Sequence, residues 1–120
     1  VYLDNRDTLN YSVARAAWIG DYLDPDTFLN MFITGGGNND TGWSNAEYDE
    51  LILRKIPAMK THEERMAGFY QAETILLNEM PIIPIYIYST KYLIHPSVKG
   101  MPPNLLDHYL FKQVSLEPDT

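Results

Sequence analysis

A chain of 120 residues is long enough for one small domain with a modest hydrophobic core. Its sixteen acidic and nine basic residues give a net charge of −7, which argues against nucleic acid or an anionic membrane surface as a partner. Without cysteine there is no disulfide framework and no thiolate metal site, and no stretch reaches the roughly 18 apolar residues of a membrane-spanning helix.

The first predicted element is a strand over residues 11–18, where small or apolar residues occupy both alternating faces. Arg15 lies inside it and needs a carboxylate or a ligand, because an unpaired buried charge is very costly. Asp21 follows in an acidic turn. The residues alone leave two interpretations of Arg15 and Asp21 open, an internal ion pair or contacts with a ligand.

The dipeptide Asp24-Pro25 predicts the start of a short helix over residues 25–33. An aspartate carboxylate accepts the unpaired amides of a first helical turn, and proline suits the first helical position. The glycine run 35–37 is expected to end this helix, because glycine adopts positive φ without strain. The helix should bury its apolar side chains, namely Phe28, Leu29 and Phe32.

Two capping-box patterns predict two further helices. Ser44 with Glu47 marks the start of a helix that Pro57 is expected to stop. Its predicted apolar face consists of Tyr48, Leu51, Ile52 and Ile56. The pattern at residues 61–64 opens the longest predicted helix, residues 61–80, which carries a broad apolar stripe.

The last part of the chain predicts strands. Residues 82–89 have high β propensity, residues 91–94 are expected to pair back with them as a hairpin, and residues 109–116 form a last strand after a coil. The predicted order is β-α-α-α-β-β-β, which has too few alternations for a doubly wound sheet. We therefore expect a mixed α/β (α+β) class, with residues 1–120 as a single partial domain.

Motifs for catalysis or metal binding are weak. The turn with Asp21, Asp24 and Asp26 lacks the glycine and the terminal glutamate of a calcium-binding EF-hand loop. The histidines are far apart and match no zinc-binding spacing. The glycine run follows a predicted helix, whereas a phosphate-binding loop precedes one. We predict no metal, no cofactor and no enzymatic activity.

Four runs of sequence carry a family resemblance. They read VARAAWIGDYLDPDTFLNMF, GGGNNDTGWSNAEYDELI, RMAGFYQAETILLNEMPIIPIYIY and HPSVKG. In this order they closely resemble the C-terminal part of family 5 extracellular solute-binding proteins, the oligopeptide- and dipeptide-binding receptors of ABC importers. The resemblance implies the C-terminal part of the second large lobe of a periplasmic-binding-protein-like II architecture. We therefore expect the chain to be a fragment.

The resemblance also implies a site. In oligopeptide binders of this family the ligand lies extended between two lobes and pairs with a strand edge, and the matching edge here comprises Ala16, Ala17, Trp18 and Ile19. An Asp three residues after the Trp receives the peptide α-ammonium there, and Asp21 holds that position. Arg15 and Arg6 match arginines that meet carboxylates of the ligand or its side-chain pockets. Ile19 stands where some relatives carry a cysteine, which leaves backbone pairing possible and leaves the side-chain selectivity of the site open.

The implied function is the substrate-binding component of an ABC importer that takes up extended oligopeptides. Its partners would be the peptide, the missing lobe and the ABC permease. Its location would be the periplasm or the extracellular face of the bacterial cytoplasmic membrane, with or without a lipid anchor on the longer protein to which the fragment would belong.

Two alternatives stay open. The first is a receptor of the same architecture for an oligosaccharide, a nickel chelate or haem, with Trp18 and the tyrosines as stacking surfaces. The second is a hydrolase domain, for which the sequence offers neither nucleophile nor metal. Independently of function, a truncated sheet would expose strand edges and apolar surface, so we expect the fragment to self-associate or to exchange its terminal segments.

Overall fold

The computed structural model describes residues 1–104, 106 and 108–117. The chain forms two compact units, Val1–Pro84 and Ile85–Thr120. The first unit contains the helices α1 (Tyr2–Asp7), α2 (Asp26–Leu29) with a 3-10 turn (Asn30–Phe32), α3 (Ala46–Glu50), a π-helical segment (Leu51–Lys55), α4 (Ile56–Ala58) and α5 (His62–Glu79). The second unit contains β1 (Val98–Lys99), a 3-10 turn (Phe111–Gln113) and β2 (Ser115–Leu116).

The second unit holds a two-stranded antiparallel sheet. β1 pairs with β2 so that Val98 lies opposite Leu116 and Lys99 opposite Ser115. Helices together with this small sheet give the mixed α/β class that the sequence predicts. Within the described part of the chain, no helix is long and apolar enough to cross a membrane.

The longest helix begins at the predicted capping box. The Thr61 hydroxyl accepts a hydrogen bond from the Glu64 amide at 3.1 Å, and the Glu64 carboxylate accepts one from the Thr61 amide at 3.1 Å. At the other end Met80 takes a left-handed conformation with φ of 51°, just before Pro81. The predicted range, residues 61–80, is therefore confirmed to within one residue at each end.

The start of α3 differs from the prediction. Asn45, and not Ser44, caps the helix, because its side-chain oxygen accepts from the Tyr48 amide at 2.9 Å. The helical path then continues through the π-helical segment to Ala58, so that Pro57 lies inside the last turn instead of stopping the helix before it.

The core of the first unit joins α2, α3, the π-helical segment, α4 and α5. Its buried hydrophobic members are Leu29, Tyr48, Leu51, Ile52, Ile56, Phe69, Ala72 and Leu76. The four residues of the predicted α3 face are all among them. Gly68 permits the close approach of α4 to α5, since a Cβ at that position would lie 2.7 Å from Ile56 Cγ1. Phe28 was expected in this core but is 48% exposed.

Most of the predicted strands are wrong. Residues 11–18, 82–89 and 91–94 contain no strand, and of residues 109–116 only Ser115–Leu116 is one. Its partner β1 lies in the segment expected to be coil. A strand requires a hydrogen-bonded neighbour, and β propensity alone does not supply one. Among the described residues, nothing pairs with the first three segments as a strand.

Candidate ligand-binding site

Helix α1 is tied to the segment that follows it. The Tyr2 hydroxyl donates a hydrogen bond to the Arg15 carbonyl, and the Arg6 guanidinium forms an ion pair with Asp40. The Tyr11 hydroxyl donates to the Asp40 carbonyl. These contacts hold the two ends of the segment 11–15, at Tyr11 and Arg15, although the segment belongs to no helix or strand.

Arg6 and Arg15 border one cleft. It has a volume of about 300 Å³ and lies between α1 and residues 11–15. The Arg6 guanidinium lies 5.7 Å from the centre of the Tyr2 ring, and the hydrogen bond with the Tyr2 hydroxyl, followed by the charge of Asp40, raises the pKa of Arg6. Both predicted arginines are thus brought together, and Arg6 already has a carboxylate partner.

The predicted recognition edge is exposed. The side chains of Ala16, Ala17, Trp18 and Ile19 all face solvent, with Trp18 36% and Ile19 66% exposed. Arg15 is exposed too, and its guanidinium forms no ion pair or side-chain hydrogen bond within the described part of the chain. An ion pair between Arg15 and Asp21, which the sequence left open, is therefore not formed.

The three carboxylates of the acidic turn have different surroundings. Asp24 accepts from Arg65 Nη2 at 2.9 Å and, through its other oxygen, from the Asp26 amide at 3.0 Å. Asp26 accepts from the Tyr22 hydroxyl at 2.7 Å, which raises the pKa of Tyr22 to about 12. Asp21 is exposed, and its carboxylate has no hydrogen bond or ion pair among the described residues.

The backbone around Asp21 is anchored on α2. The Asp21 amide donates to the Thr27 hydroxyl oxygen at 2.9 Å, and Thr27 is only 4% exposed. A Cβ at Gly20 would lie 3.0 Å from the Thr27 methyl and 3.2 Å from the Phe28 ring, so the chain runs close along the helix here. The main chain of Asp21 is therefore fixed while its carboxylate is free.

A second cleft was not predicted from the sequence. It has a volume of about 480 Å³, and its lining includes Tyr22, Asp24, Arg65 and Phe69. The Arg65 guanidinium lies 5.3 Å from the centre of the Phe69 ring while it pairs with Asp24. No sequence signal identifies this pairing, because Arg65 lies 41 residues further along the chain. The described residues contain no cluster of three or more His, Asp or Glu side chains that could hold a metal ion.

Comparison with known proteins gives clear relatives, although no family model matches the chain. It is 39% identical over 101 residues to the dipeptide-binding protein DppE of Bacillus subtilis, covering 84% of this chain and 18% of DppE. It is 40% identical over 103 residues to the periplasmic murein peptide-binding protein MppA of Escherichia coli, covering 86% of this chain and 19% of MppA.

Solved structures show the same relationship. The structure of MppA matches 96% of this chain at 36% identity with a TM-score of 0.86, over 23% of its own length. The Haemophilus influenzae OppA complex with the peptide RPPGFSPFR matches 96% of this chain at 34% identity with a TM-score of 0.84, over 22% of its length. The chain thus spans about a fifth of the length of these relatives. Its homologues are family 5 extracellular solute-binding proteins, as the four sequence runs predict.

Proposed function

We propose that this chain is part of the peptide-binding component of an ABC importer and contacts an extended oligopeptide through residues 15–21. The observation that carries the proposal is the identity of 39–40% over most of the chain to proteins named for dipeptide and murein peptide binding. A further relative has been solved with a bound nonapeptide, RPPGFSPFR. These relatives do not favour an oligosaccharide, nickel or haem receptor, or a hydrolase.

Asp21 is proposed to receive the α-ammonium group of the peptide. Its carboxylate is exposed and unpaired among the described residues, whereas Asp24 and Asp26 are already engaged by Arg65 and Tyr22. A hydrogen bond between an ammonium and a carboxylate is about twice as strong as a neutral one. An N-acetylated peptide has no such ammonium, so this contact selects free amino termini.

The exposed edge and the two arginines complete the proposed contacts. The backbone of residues 16–19 belongs to no sheet, so its amides and carbonyls are available to an extended peptide that adds as a strand. Arg15 offers a free guanidinium to a carboxylate of the ligand. Arg6 has five N–H donors, and its pair with Asp40 leaves some of them for a ligand in the shared cleft. Trp18, which is 36% exposed, offers a flat apolar surface to a ligand side chain.

The rest of the cleft is proposed to come from the longer protein that contains this chain, here called the parent protein. We propose that the parent protein acts outside the cytoplasm, delivers peptides to an ABC permease and has no catalytic activity. The support is the naming of relatives as periplasmic binding proteins and the coverage of about a fifth of their length.

The test is a calorimetric titration of the parent protein with a library of tri- to pentapeptides, followed by the tightest-binding peptide in free and N-acetylated form. We expect acetylation to weaken binding strongly, and Asp21→Ala to cost about 2 to 5 kcal/mol with the free peptide, as for other broken charge pairs in a binding site. Asp7→Ala removes an exposed carboxylate of α1 and serves as the matched control. Equal affinities for the free and acetylated peptides would refute the role of Asp21, and the absence of any binding peptide would refute the function.

A further inference from the structure

We infer that Thr27 is a positioning residue for Asp21, holding the aspartate main chain where its carboxylate meets a peptide ammonium. The inference rests on the proposed function. Its basis is the hydrogen bond of 2.9 Å from the Asp21 amide to the Thr27 hydroxyl oxygen. This hydrogen bond joins residues 15–21 to α2, a helix of the core, and does not involve the Asp21 carboxylate.

The surroundings of Thr27 fit a positioning role. Its side chain is buried, at 4% exposure, and among the described residues only Tyr48 also buries a side-chain hydroxyl. Thr27 is the second residue of α2, so its own helix has no carbonyl four residues earlier with which the hydroxyl could bond. Here the hydroxyl oxygen accepts from Asp21, six residues earlier, while the Thr27 amide donates to the Asp24 carbonyl at 3.2 Å. Thr27 is therefore hydrogen-bonded to two residues of the acidic turn, Asp21 and Asp24.

Packing reinforces the same anchor. The backbone at Gly20 lies so close to α2 that an added Cβ would stand 3.0 Å from the Thr27 methyl and 3.2 Å from the Phe28 ring. Two consecutive residues are thus held by α2, Gly20 by contact and Asp21 by a hydrogen bond.

Helix α2 is itself fixed to the core. Leu29 is buried, and its carbonyl accepts from the buried Tyr48 hydroxyl at 2.6 Å. The anchor of Asp21 therefore does not depend on the mobility of a surface loop. A fixed main chain with a free carboxylate lowers the ordering cost of binding, which is the general advantage of preorganisation.

Two substitutions distinguish the contribution of the Thr27 hydroxyl from the contribution of the side-chain shape. Thr27→Val keeps the branched shape and removes the acceptor, so the Asp21 amide loses its partner. Thr27→Ser keeps the acceptor and removes the methyl group. A positioning role predicts that serine preserves the preference for free amino termini and that valine does not. A purely structural role predicts that both variants weaken all peptides alike.

The experiment measures binding of the tightest library peptide, free and N-acetylated, to the parent protein and its variants. We expect Thr27→Val to weaken binding of the free peptide roughly three- to tenfold, as for the loss of one partly buried hydrogen bond, and binding of the acetylated peptide much less. Thr27→Ser should keep the ratio of the two affinities. Gly20→Ala crowds Thr27 and Phe28 and should, like Thr27→Val, lower the ratio of the affinity for the free peptide to the affinity for the acetylated peptide. It also provides a second variant if Thr27→Val does not fold.

The outcomes distinguish the inference from the function on which it rests. If Asp21→Ala leaves the discrimination intact, the ammonium contact itself is wrong. If Asp21→Ala abolishes the discrimination while Thr27→Val and Gly20→Ala leave it intact, only the positioning role is overturned. Equal losses for both peptide forms in Thr27→Val would likewise make Thr27 a structural residue.

Discussion

Tyr48 offers the sharpest test of how the first unit holds together. Its side chain is fully buried, and its hydroxyl donates to the Leu29 carbonyl at 2.6 Å. Its ring packs against Trp43 in an edge-to-face arrangement, with 5.0 Å between the two ring centroids. Tyr48→Phe keeps the ring and removes only the donor. The Leu29 carbonyl then loses a partner in a buried site, for which we expect a loss of about 1 to 3 kcal/mol in the free energy of unfolding.

The same hydroxyl should make stability depend on alkaline pH. Burial, reinforced by the charges of Asp26 and Asp49, raises the pKa of Tyr48 above its ordinary value of 10.0. The unfolded chain then loses this proton at lower pH than the folded chain does, so stability is complete below pH 10 and falls as pH rises further. The limiting slope for one such group is about 1.4 kcal/mol per pH unit. Tyr48→Phe should remove this component and leave the smaller one from Tyr22, whose pKa is raised to about 12.

Urea unfolding followed by circular dichroism, at pH 8 and at several values above pH 10, measures both effects. Tyr70→Phe is the matched control, because Tyr70 is 73% exposed and its loss should change stability by no more than about 0.5 kcal/mol. If Tyr48→Phe and Tyr70→Phe unfold at the same urea concentration, the buried hydrogen bond contributes nothing. An unchanged alkaline slope in Tyr48→Phe would refute the argument from burial.

Two further predictions concern the start of α5 and the apolar surface. Thr61→Ala removes one half of the capping box and should cost about 1 kcal/mol in urea unfolding; no change would mean that the cap is replaced by water. The backbone amides of Thr61 and Lys60 donate to the Glu64 carboxylate and lower the pKa of Glu64 below its ordinary 4.5, so the stability that Glu64 contributes is present above pH 4.5 and lost as pH falls through the lower, folded value. Ile83, Ile85 and Ile87 are 65%, 79% and 97% exposed, so the 120-residue chain should self-associate in light scattering and Ile87→Lys should shift it towards monomer; a monomeric wild type at high concentration would contradict this.

Helices α2, α3 and α5 were predictable, unlike α1, because their signals are local. The capping box of Thr61 and Glu64 needs only residues three apart, and the apolar face of α3 needs only helical spacing. The exact cap of α3 was not predictable, because Ser44 and Asn45 both carry an oxygen that suits the role and only the backbone path selects one. Strands were predicted poorly for a different reason. Residues 82–89 have strong β propensity, but strand pairing depends on a neighbour that is distant in sequence, and local propensity does not identify it.

The acidic turn shows where sequence reasoning reaches the candidate site and where it stops. Three aspartates lie within six residues, and the pattern Asp24-Pro25 predicts a helix that in the structure begins one residue later than expected, at Asp26, with Pro25 at the N-cap position. The Asp24 carboxylate still accepts from the Asp26 amide. The pattern does not reveal that Arg65, 41 residues away, also pairs with Asp24. That ion pair offsets the charge of Asp24, and Asp26 accepts hydrogen bonds from Tyr22 and Asn30, so among the described residues Asp21 is the carboxylate of the turn that has no such partner. Since Thr27 fixes the Asp21 main chain at the same time, the turn presents one carboxylate without a hydrogen-bond or ion-pair partner among the described residues, and it does so from a defined position that suits the recognition of a single ammonium group.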